Sequence, residues 1–341
     1  MEAFTLTNVH GMEVRFIAYG GIIVSVRIPD RRGVFADVTP GYDSLDDYMR
    51  DGRFFGAIVG RYANRIANAR FELDGTEYIL TPNEGSNQLH GGPNGFFRAT
   101  WRVEVPRGSS DLAHLYYRSV AGDQGFPGTL DVKVTYSVTN DNELVVDYGA
   151  TTDAPTPVNL TQHTYFNLAG HDAGEILDHE LTLYAHLFTP VNDALLPSGA
   201  ARPVTGTAFD FTSPHRIGER IDQDDEQLIV GHGYDHNFVL DRGASEIPAL
   251  AARVHEPRSG RMMEILTTEP GIQFYSGSGL ADGPPGKNGY RYKPNGAFAL
   301  EPQHFPDSPN HPEYPSTILR PGDEYRSRTV YRFSISTNDD A

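Results

Sequence analysis

Cysteine is absent from the 341-residue sequence. Its absence excludes disulfide bridges, thiolate nucleophiles and cysteine-ligated metal sites, and it fits a reducing cytoplasm. Basic residues are also few, because 28 Lys and Arg stand against 45 Asp and Glu and leave a net charge of −17. A surface of that charge repels phosphate backbones and anionic lipids, so we expect no nucleic-acid or membrane partner. A neutral small molecule is the favoured ligand.

Long apolar runs and several well-known motifs are missing as well. No run approaches the roughly 20 apolar residues that a membrane-spanning helix needs, and the start at Met1 lacks the basic and apolar regions of a signal peptide. The sequence contains no phosphate-binding glycine loop, no G-x-S-x-G nucleophile elbow and no H-E-x-x-H zinc motif. We therefore expect a cytoplasmic protein that needs no cofactor.

The remaining pattern is an alternation of apolar and polar residues with a period of two. Residues 130–138 alternate, the chain turns, and 144–148 alternate again, which predicts a hairpin with one buried face. Asp74-Gly75 predicts a second, tight hairpin. Helical signals are few, although Ser44–Asp47 resembles a capping box. Because 35 Gly and 24 Pro interrupt the chain, we expect an all-β fold, a large antiparallel β-sandwich in one domain spanning residues 1–341.

Polar clusters in or beside apolar segments are the candidates for chemistry, since buried polar groups are costly unless they are paired or used. In a single strand through residues 159–168, Asn159, Thr161, His163 and Tyr165 would share one face. Each cluster taken alone also has a structural explanation as a turn, a solvated face or a cap. The clusters are Gly60–Ile66, Gln88–Gly92, Asn159–Leu168, Gly233–Leu240 and Phe298–Asp307, the last preceded by Pro270–Tyr275.

Glu301 follows the apolar residues 298–300. Because proline cannot donate to a sheet ladder, Pro302 is expected to stop the strand there and to hold the carboxylate at the rim of the sheet. Partial burial would raise the pKa of Glu301 and make it a usable base. Metal-ligand residue types are also close in sequence here, but the prolines between them prevent a helix that would align them. We expect no metal site among Glu301, His304, Asp307 and His311.

Taken together and in order, the clusters resemble the aldose 1-epimerase (galactose mutarotase) family. The resemblance extends from about Gly20 to Phe333, and six motifs in order make it highly specific. The matching stretches are G-R-Y-A-N-R-I, N-Q-L-H-G-G, T-P-V-N-L-T-Q-H-T-Y-F-N-L-A-G, G-Y-D-H-N-F-V-L, P-G-I-Q-F-Y-S-G and A-L-E-P-Q-H-F-P-D.

The resemblance implies a galactose mutarotase-like supersandwich with an open cleft, no cofactor and no metal. It implies that the enzyme interconverts the anomers of a free monosaccharide. Glu301 would be the general base, His163 the general acid, and His90 a group that assists at the reacting centre. The sugar hydroxyls would be held by Asn64, Arg65, Asp235 and Gln273. Whether Tyr165 or Phe166 faces the sugar stays open at this stage.

Two other functions remain open. A carbohydrate-binding sandwich without activity would have the same fold, and a glycosidase would use Glu301 and Asp235 as a carboxylate pair. The preferred aldose is not determined by the sequence, and neither is the choice between a monomer and a homodimer.

Overall fold

A computed structural model describes residues 3–336 of the protein. In this part of the chain most of the regular structure is strand, as the period-two patterns predict. The strands are β1 (Phe4–Thr7), β2 (Glu13–Phe16), β3 (Ile23–Pro29), β4 (Phe35–Asp37), β5 (Ala57–Val59), β6 (Arg65–Ile66), β7 (Arg70–Leu73), β8 (Thr76–Ile79), β9 (Gln88–Leu89), β10 (Arg102–Glu104), β11 (Leu112–Ser119), β12 (Leu130–Val138), β13 (Glu143–Thr152), β14 (Thr156–Pro157), β15 (Thr161–His163), β16 (Tyr165–Phe166), β17 (Glu180–Leu183), β18 (Leu187–Phe188), β19 (Arg202–Pro203), β20 (His215–Arg216), β21 (Asp235–Val239), β22 (Ala249–His255), β23 (Arg261–Thr267), β24 (Gly271–Tyr275), β25 (Phe298–Gln303), β26 (Ile318–Leu319) and β27 (Tyr325–Ile335).

Helices are short. The α-helices are α1 (Leu45–Arg50) and α2 (Glu226–Gly231), and in the described residues no helix is long and apolar enough to cross a membrane. The predicted cap of α1 is confirmed, because the hydroxyl of Ser44 accepts a hydrogen bond from the backbone N–H of Asp47 at 3.2 Å. Single turns of 3-10 helix are Ala67–Ala69, Phe96–Arg98, Asp123–Gly125, Ile217–Glu219, Ser278–Asp282, Lys287–Gly289 and Ser308–Asn310.

Two large antiparallel sheets dominate the fold. One has nine strands in the order β10-β11-β12-β13-β27-β23-β22-β17-β20, and the other has six in the order β16-β25-β24-β21-β18-β19. A four-stranded sheet, β1-β2-β3-β4, and the pairs β14-β26, β15-β5, β6-β9 and β7-β8 complete it. Both predicted hairpins are confirmed, since Val134 pairs with Tyr148 in β12-β13 and Leu73 with Thr76 in β7-β8.

The main core lies between the inner faces of the two large sheets. Phe298 of β25 is fully buried there, and the Phe166 ring lies 6.3 Å from its ring and 5.6 Å from that of Tyr331 in β27. Complete burial of one such side chain stabilises the fold by about 1.5–3 kcal/mol. Two layers of antiparallel sheet around one core confirm the predicted all-β sandwich.

The six-stranded sheet turns a polar face away from this core. Because side chains alternate along a strand, Asp235, Gln273 and Glu301 of β21, β24 and β25 share that face, and Gln273 pairs directly with Glu301. The pairs β15-β5 and β6-β9 lie beside it. This arrangement positions the candidate site.

The prediction that the strand ends at Glu301 is wrong, and the carboxylate is buried. The strand β25 continues through Pro302 to Gln303, and Glu301 is only 2% exposed. Its neighbour β16 pairs with β25 only at Phe298 and Ala299. Proline therefore removes no strand-to-strand hydrogen bond on the β16 side of β25. The carbonyl of Pro302 accepts a hydrogen bond from the hydroxyl of Thr161 at 2.8 Å.

The prediction of one strand through residues 159–168 is also wrong. The chain changes sheets at Thr164, because β15 pairs with β5 and β16 pairs with β25. Asn159 has a structural role, since its amide donates to the carbonyls of Ala63 and His304. Of the four residues expected on one face of a strand, only His163 and Tyr165 lie side by side, with ring centroids 4.9 Å apart.

Candidate active site

All seven residues selected from the sequence line one cleft of about 370 Å³. Larger clefts of about 980 and 660 Å³ lie on the outer face of the nine-stranded sheet. They hold none of these seven side chains, so the convergence of chemistry, and not volume, identifies the site. The seven are Asn64, Arg65, His90, His163, Asp235, Gln273 and Glu301.

Short strand pairs bring distant segments together at this cleft. In β6-β9, Arg65 pairs with Leu89, which places His90 beside Asn64. Gly91 has φ +84°, and a Cβ there would lie 2.0 Å from the carbonyl oxygen of Gly60. Only glycine permits that close approach of the two loops. In β15-β5, His163 pairs with Ala57, and this pairing fixes the backbone that carries the second imidazole.

His163 and Glu301, the expected acid and base, lie close together in the cleft. Nε2 of His163 lies 3.5 Å from Oε1 of Glu301, and both side chains are almost fully buried. Burial raises the pKa of Glu301 well above its ordinary value, Asp235 raises it further, and Arg65 opposes the change. Burial lowers the pKa of His163 to about 4. The site therefore disfavours the charged form of both groups.

His90 is oriented by its backbone neighbour. Its Nδ1 accepts a hydrogen bond from the backbone N–H of Asn64 at 3.2 Å, and the ring is 6% exposed. Burial, His163 and Arg65 together lower the pKa of His90 well below its ordinary value. The neutral ring consequently carries its proton on Nε2, which makes it a fixed hydrogen-bond donor.

The remaining polar side chains hold one another in place. Arg65 donates to both carboxylate oxygens of Glu84, at 2.6 and 2.8 Å. The amide of Gln273 donates to Oδ1 of Asp235 at 2.7 Å. Burial raises the pKa of Asp235, while Arg65 and that hydrogen bond oppose the rise. These groups present donors and acceptors in fixed directions, as a polyhydroxylated ligand requires.

Comparison with known proteins identifies the family. The family model for aldose 1-epimerase matches residues 2–332. The chain belongs to the aldose 1-epimerase family. It is 42% identical over 336 residues to galactose mutarotase of Rattus norvegicus, with 98% of this chain and 95% of the relative covered. It is 41% identical over 331 residues to aldose 1-epimerase of Escherichia coli K12, covering 96% and 94% of the two chains.

Solved structures of relatives support the fold of this aldose 1-epimerase family member. An aldose epimerase homologue from C. elegans superposes with a TM-score of 0.90 at 34% identity and covers 98% of this chain and 99% of its own. Galactose 1-epimerase from Lactobacillus acidophilus superposes with a TM-score of 0.83 at 26% identity, covering 97% and 94%. The galactose mutarotase-like architecture expected from the motifs is confirmed.

Two imidazoles and one carboxylate also suggest a metal site. In the described part of the chain, the ligand atoms of His90, His163 and Glu301 lie within 4.8 Å of one another. A histidine ligand must offer a deprotonated nitrogen to the ion. Nδ1 of His90 already accepts from Asn64, so Nε2 holds the proton and cannot bind a metal in the neutral ring. The donor set therefore fits a metal ion poorly.

Aromatic residues also line the cleft, and two of them, Phe54 and Tyr275, were missed by the sequence analysis. Tyr165 lines the cleft, whereas Phe166 packs in the main core, which answers the question that the motif left open. Phe54 and Tyr275 also line the cleft. Tyr275 follows Gln273 by two positions, so period-two alternation places it on the same face. No pattern in the sequence identifies Phe54.

Proposed function

We propose that this aldose 1-epimerase interconverts the α and β anomers of free aldoses such as glucose or galactose, using Glu301 and His163 as an acid/base pair. The observation that carries the proposal is the 3.5 Å separation of His163 Nε2 and Glu301 Oε1 inside a polar cleft. Two proton-transfer groups that share one small space suit a reaction in which one sugar oxygen loses a proton while its neighbour gains one.

The sugar ring opens when protons move at two oxygens. Glu301 takes the proton of the C1 hydroxyl while His163 donates a proton to the ring oxygen, and the C1–ring oxygen bond breaks to give an aldehyde. Rotation about C1–C2 presents the other carbonyl face. Ring closure then returns both protons with the roles exchanged. The pair holds one proton throughout, on His163 before ring opening and on Glu301 after it, and burial favours the second arrangement, in which both groups are neutral.

His90 assists as a neutral donor. Because its Nδ1 is occupied by Asn64, its Nε2–H is available to a sugar oxygen at the reacting centre. A donor fixed before the reaction stabilises negative charge as it develops on that oxygen.

Asn64, Arg65, Asp235 and Gln273 hold the remaining hydroxyls of the sugar. Arg65 is the cation of this group, and Glu84 already accepts from its guanidinium. The charge of the cleft therefore favours a neutral monosaccharide over a phosphorylated one or a nucleic acid. The absence of cysteine in the sequence supports a cytoplasmic location. Formation of one domain over residues 1–341 and a monomeric or homodimeric state are further parts of the proposal.

The test is polarimetry of freshly dissolved α-D-glucose and α-D-galactose. Wild-type protein should speed the change in optical rotation, and Glu301→Gln and His163→Gln should each lose at least about 10²-fold in kcat. Glutamine keeps the size and hydrogen bonding of Glu301 but accepts no proton. Glu77→Gln, at an exposed position of β8, is the control and should have wild-type turnover. Thermal melts and sugar-binding titrations verify that the variants fold and bind.

Three outcomes would contradict the proposal. A well-folded Glu301→Gln protein with near-wild-type turnover would refute the proton transfers. A wild-type protein that binds sugar without changing its rotation would be a carbohydrate-binding protein. Release of monosaccharide from a disaccharide would indicate a glycosidase.

A further inference from the structure

Phe54, at the wall of the cleft, has a backbone conformation that aromatic residues rarely adopt. Its φ is +58°, in the left-handed region where a bulky side chain is strained. Such strain persists only where the surrounding structure imposes it, and it concentrates at functional sites. The strained backbone of Phe54, beside the proposed acid and base, therefore indicates that contacts of the surrounding residues hold its side chain in this position.

The residues after Phe54 are fixed by two independent contacts. The Phe55 ring is buried and lies 5.2 Å from the ring of Tyr165 and 5.6 Å from that of Tyr292. The backbone N–H of Gly56 donates to the carbonyl of His163 at 3.0 Å. With Phe55 anchored on one side of the chain, the left-handed backbone turns the neighbouring ring of Phe54 toward the histidines.

The side chain of Phe54 packs against both imidazoles. Its ring centroid lies 4.7 Å from that of His90, with an interplanar angle of 67°, and 5.7 Å from that of His163, with an angle of 33°. Behind it, the Phe97 ring lies 4.8 Å away. Phe54 thus contacts both histidines to which the proposed function assigns roles.

The ring of His163 is held largely by packing against other rings. Such a ring is generally held by a hydrogen bond from its second nitrogen to a carboxylate or a carbonyl. Among the described residues, no side chain and no carbonyl of another residue hydrogen-bonds to the buried Nδ1 of His163. Three rings pack around the imidazole, those of Phe54, His90 and Tyr165, and this packing defines the ring plane.

We propose that Phe54 is a positioning residue, an aromatic clamp whose ring packs on His163 and His90 and fixes their planes. The inference rests on the proposed function, because it assumes that these two rings act on the sugar. The ring packs against His90, His163 and Phe97, so we assign its main role to the histidines, although it also lines the cleft. Its loss should reduce turnover more than sugar binding.

The experiment compares Phe54→Leu with Phe54→Tyr. Leucine keeps an apolar side chain of similar length but has no flat face, so kcat should fall by about tenfold or more while KM stays within about twofold. Tyrosine restores the ring, and kcat should return to within about threefold of wild type. Phe4→Leu is the matched control, since Phe4 is also half-buried and stacks on Phe16 at 5.2 Å within the four-stranded sheet. Thermal melts accompany every variant.

A folded Phe54→Leu protein with wild-type kcat would overturn the inference. A raised KM with unchanged kcat would also overturn it and would make Phe54 a sugar contact. If kcat of the Phe4→Leu control fell as much as that of Phe54→Leu, the effect would come from general loosening of the fold and not from the contact with the histidines. If Phe54→Leu does not fold, a Phe54→Tyr protein that folds but keeps less than about a tenth of wild-type kcat would contradict the clamp. Failure of the proposed function is distinguishable, because wild type and Glu301→Gln would then be equally inert in the same assay.

Discussion

The backbone N–H of Asn64 donates to Nδ1 of His90 at 3.2 Å, and this contact decides which nitrogen of the neutral ring carries the proton. A ring held in this way presents Nε2–H and is a donor. The same geometry makes His90 a poor metal ligand, although its neighbours His163 and Glu301 have suitable ligand atoms.

We therefore predict that activity does not depend on a metal ion. Exhaustive dialysis against EDTA should leave the polarimetric kcat unchanged, because the ring of His90 cannot complete a three-ligand site without losing its bond to Asn64. Untreated protein carried through the same dialysis without chelator is the control. A loss of activity that zinc or manganese restores would show that the enzyme needs a metal ion and that the prediction is wrong.

The dependence of kcat on pH should be bell-shaped with a broad plateau. The pair works with one proton, so activity falls at acid pH when His163 and Glu301 together hold two protons and at alkaline pH when they hold none. Burial lowers the pKa of His163 to about 4, which puts the acid limb below the ordinary imidazole range. Burial raises the pKa of Glu301, which moves the alkaline limb up. Polarimetry corrected for the spontaneous reaction would measure both limbs, and a flat profile would contradict acid/base catalysis by this pair.

Substitution of the hydroxyl-binding groups should act mainly on KM. Asp235→Asn and Arg65→Ala are expected to raise KM by about tenfold, equivalent to about 1.4 kcal/mol, because each removes a charged hydrogen-bonding partner that moves no proton. Some loss of kcat is expected from poorer orientation. Arg70→Ala, at an exposed arginine paired with Glu77 at 3.5 Å, is the control. Wild-type kcat and KM for Asp235→Asn would exclude that residue from the site.

A half-buried ion pair outside the proposed active site should contribute to stability. Nδ1 of His304 lies 2.6 Å from Oε2 of Glu269. Burial lowers the pKa of His304, but the charge of Glu269 and its hydrogen bond together outweigh burial, and the net shift of the pKa is upward. Burial raises the pKa of Glu269, but His304 and neighbouring hydroxyls outweigh it and the net shift is downward. The pair therefore stabilises the fold fully between about pH 4.5 and 6.5, less as His304 loses its proton above that window, and less as Glu269 gains one below it.

Glu269→Gln should lower the free energy of unfolding by about 2 kcal/mol at pH 6, since it removes a charged hydrogen-bond partner of the half-buried His304. Denaturant titration of wild type and variant across this pH range would measure the difference. Asp241→Asn removes the partner of His186 at an exposed site and should change stability by less than about 1 kcal/mol. Equal effects of the two substitutions would contradict the role given to burial.

The sequence by itself determined the local structure and the candidate residues. The Asp74-Gly75 turn, the hairpin of β12 and β13 and the cap at Ser44 depend on neighbours a few residues apart, so pattern and turn chemistry were enough to predict them. The order of the motifs was enough to predict the family and to select the seven residues that line the cleft. These inferences needed residue types and spacing, not distances.

Only the tertiary structure decided how those residues work. Pro302 was misjudged because its effect depends on whether β16 extends beside it, and the chain from His163 to Tyr165 was misjudged because its two halves pair with different sheets. The tautomer of His90 depends on a hydrogen bond from Asn64. No sequence pattern indicates that Phe54 has a strained backbone beside the two imidazoles. Long-range pairing brings these groups together, and hydrogen bonding, burial and ring packing take effect only after the sheets have formed.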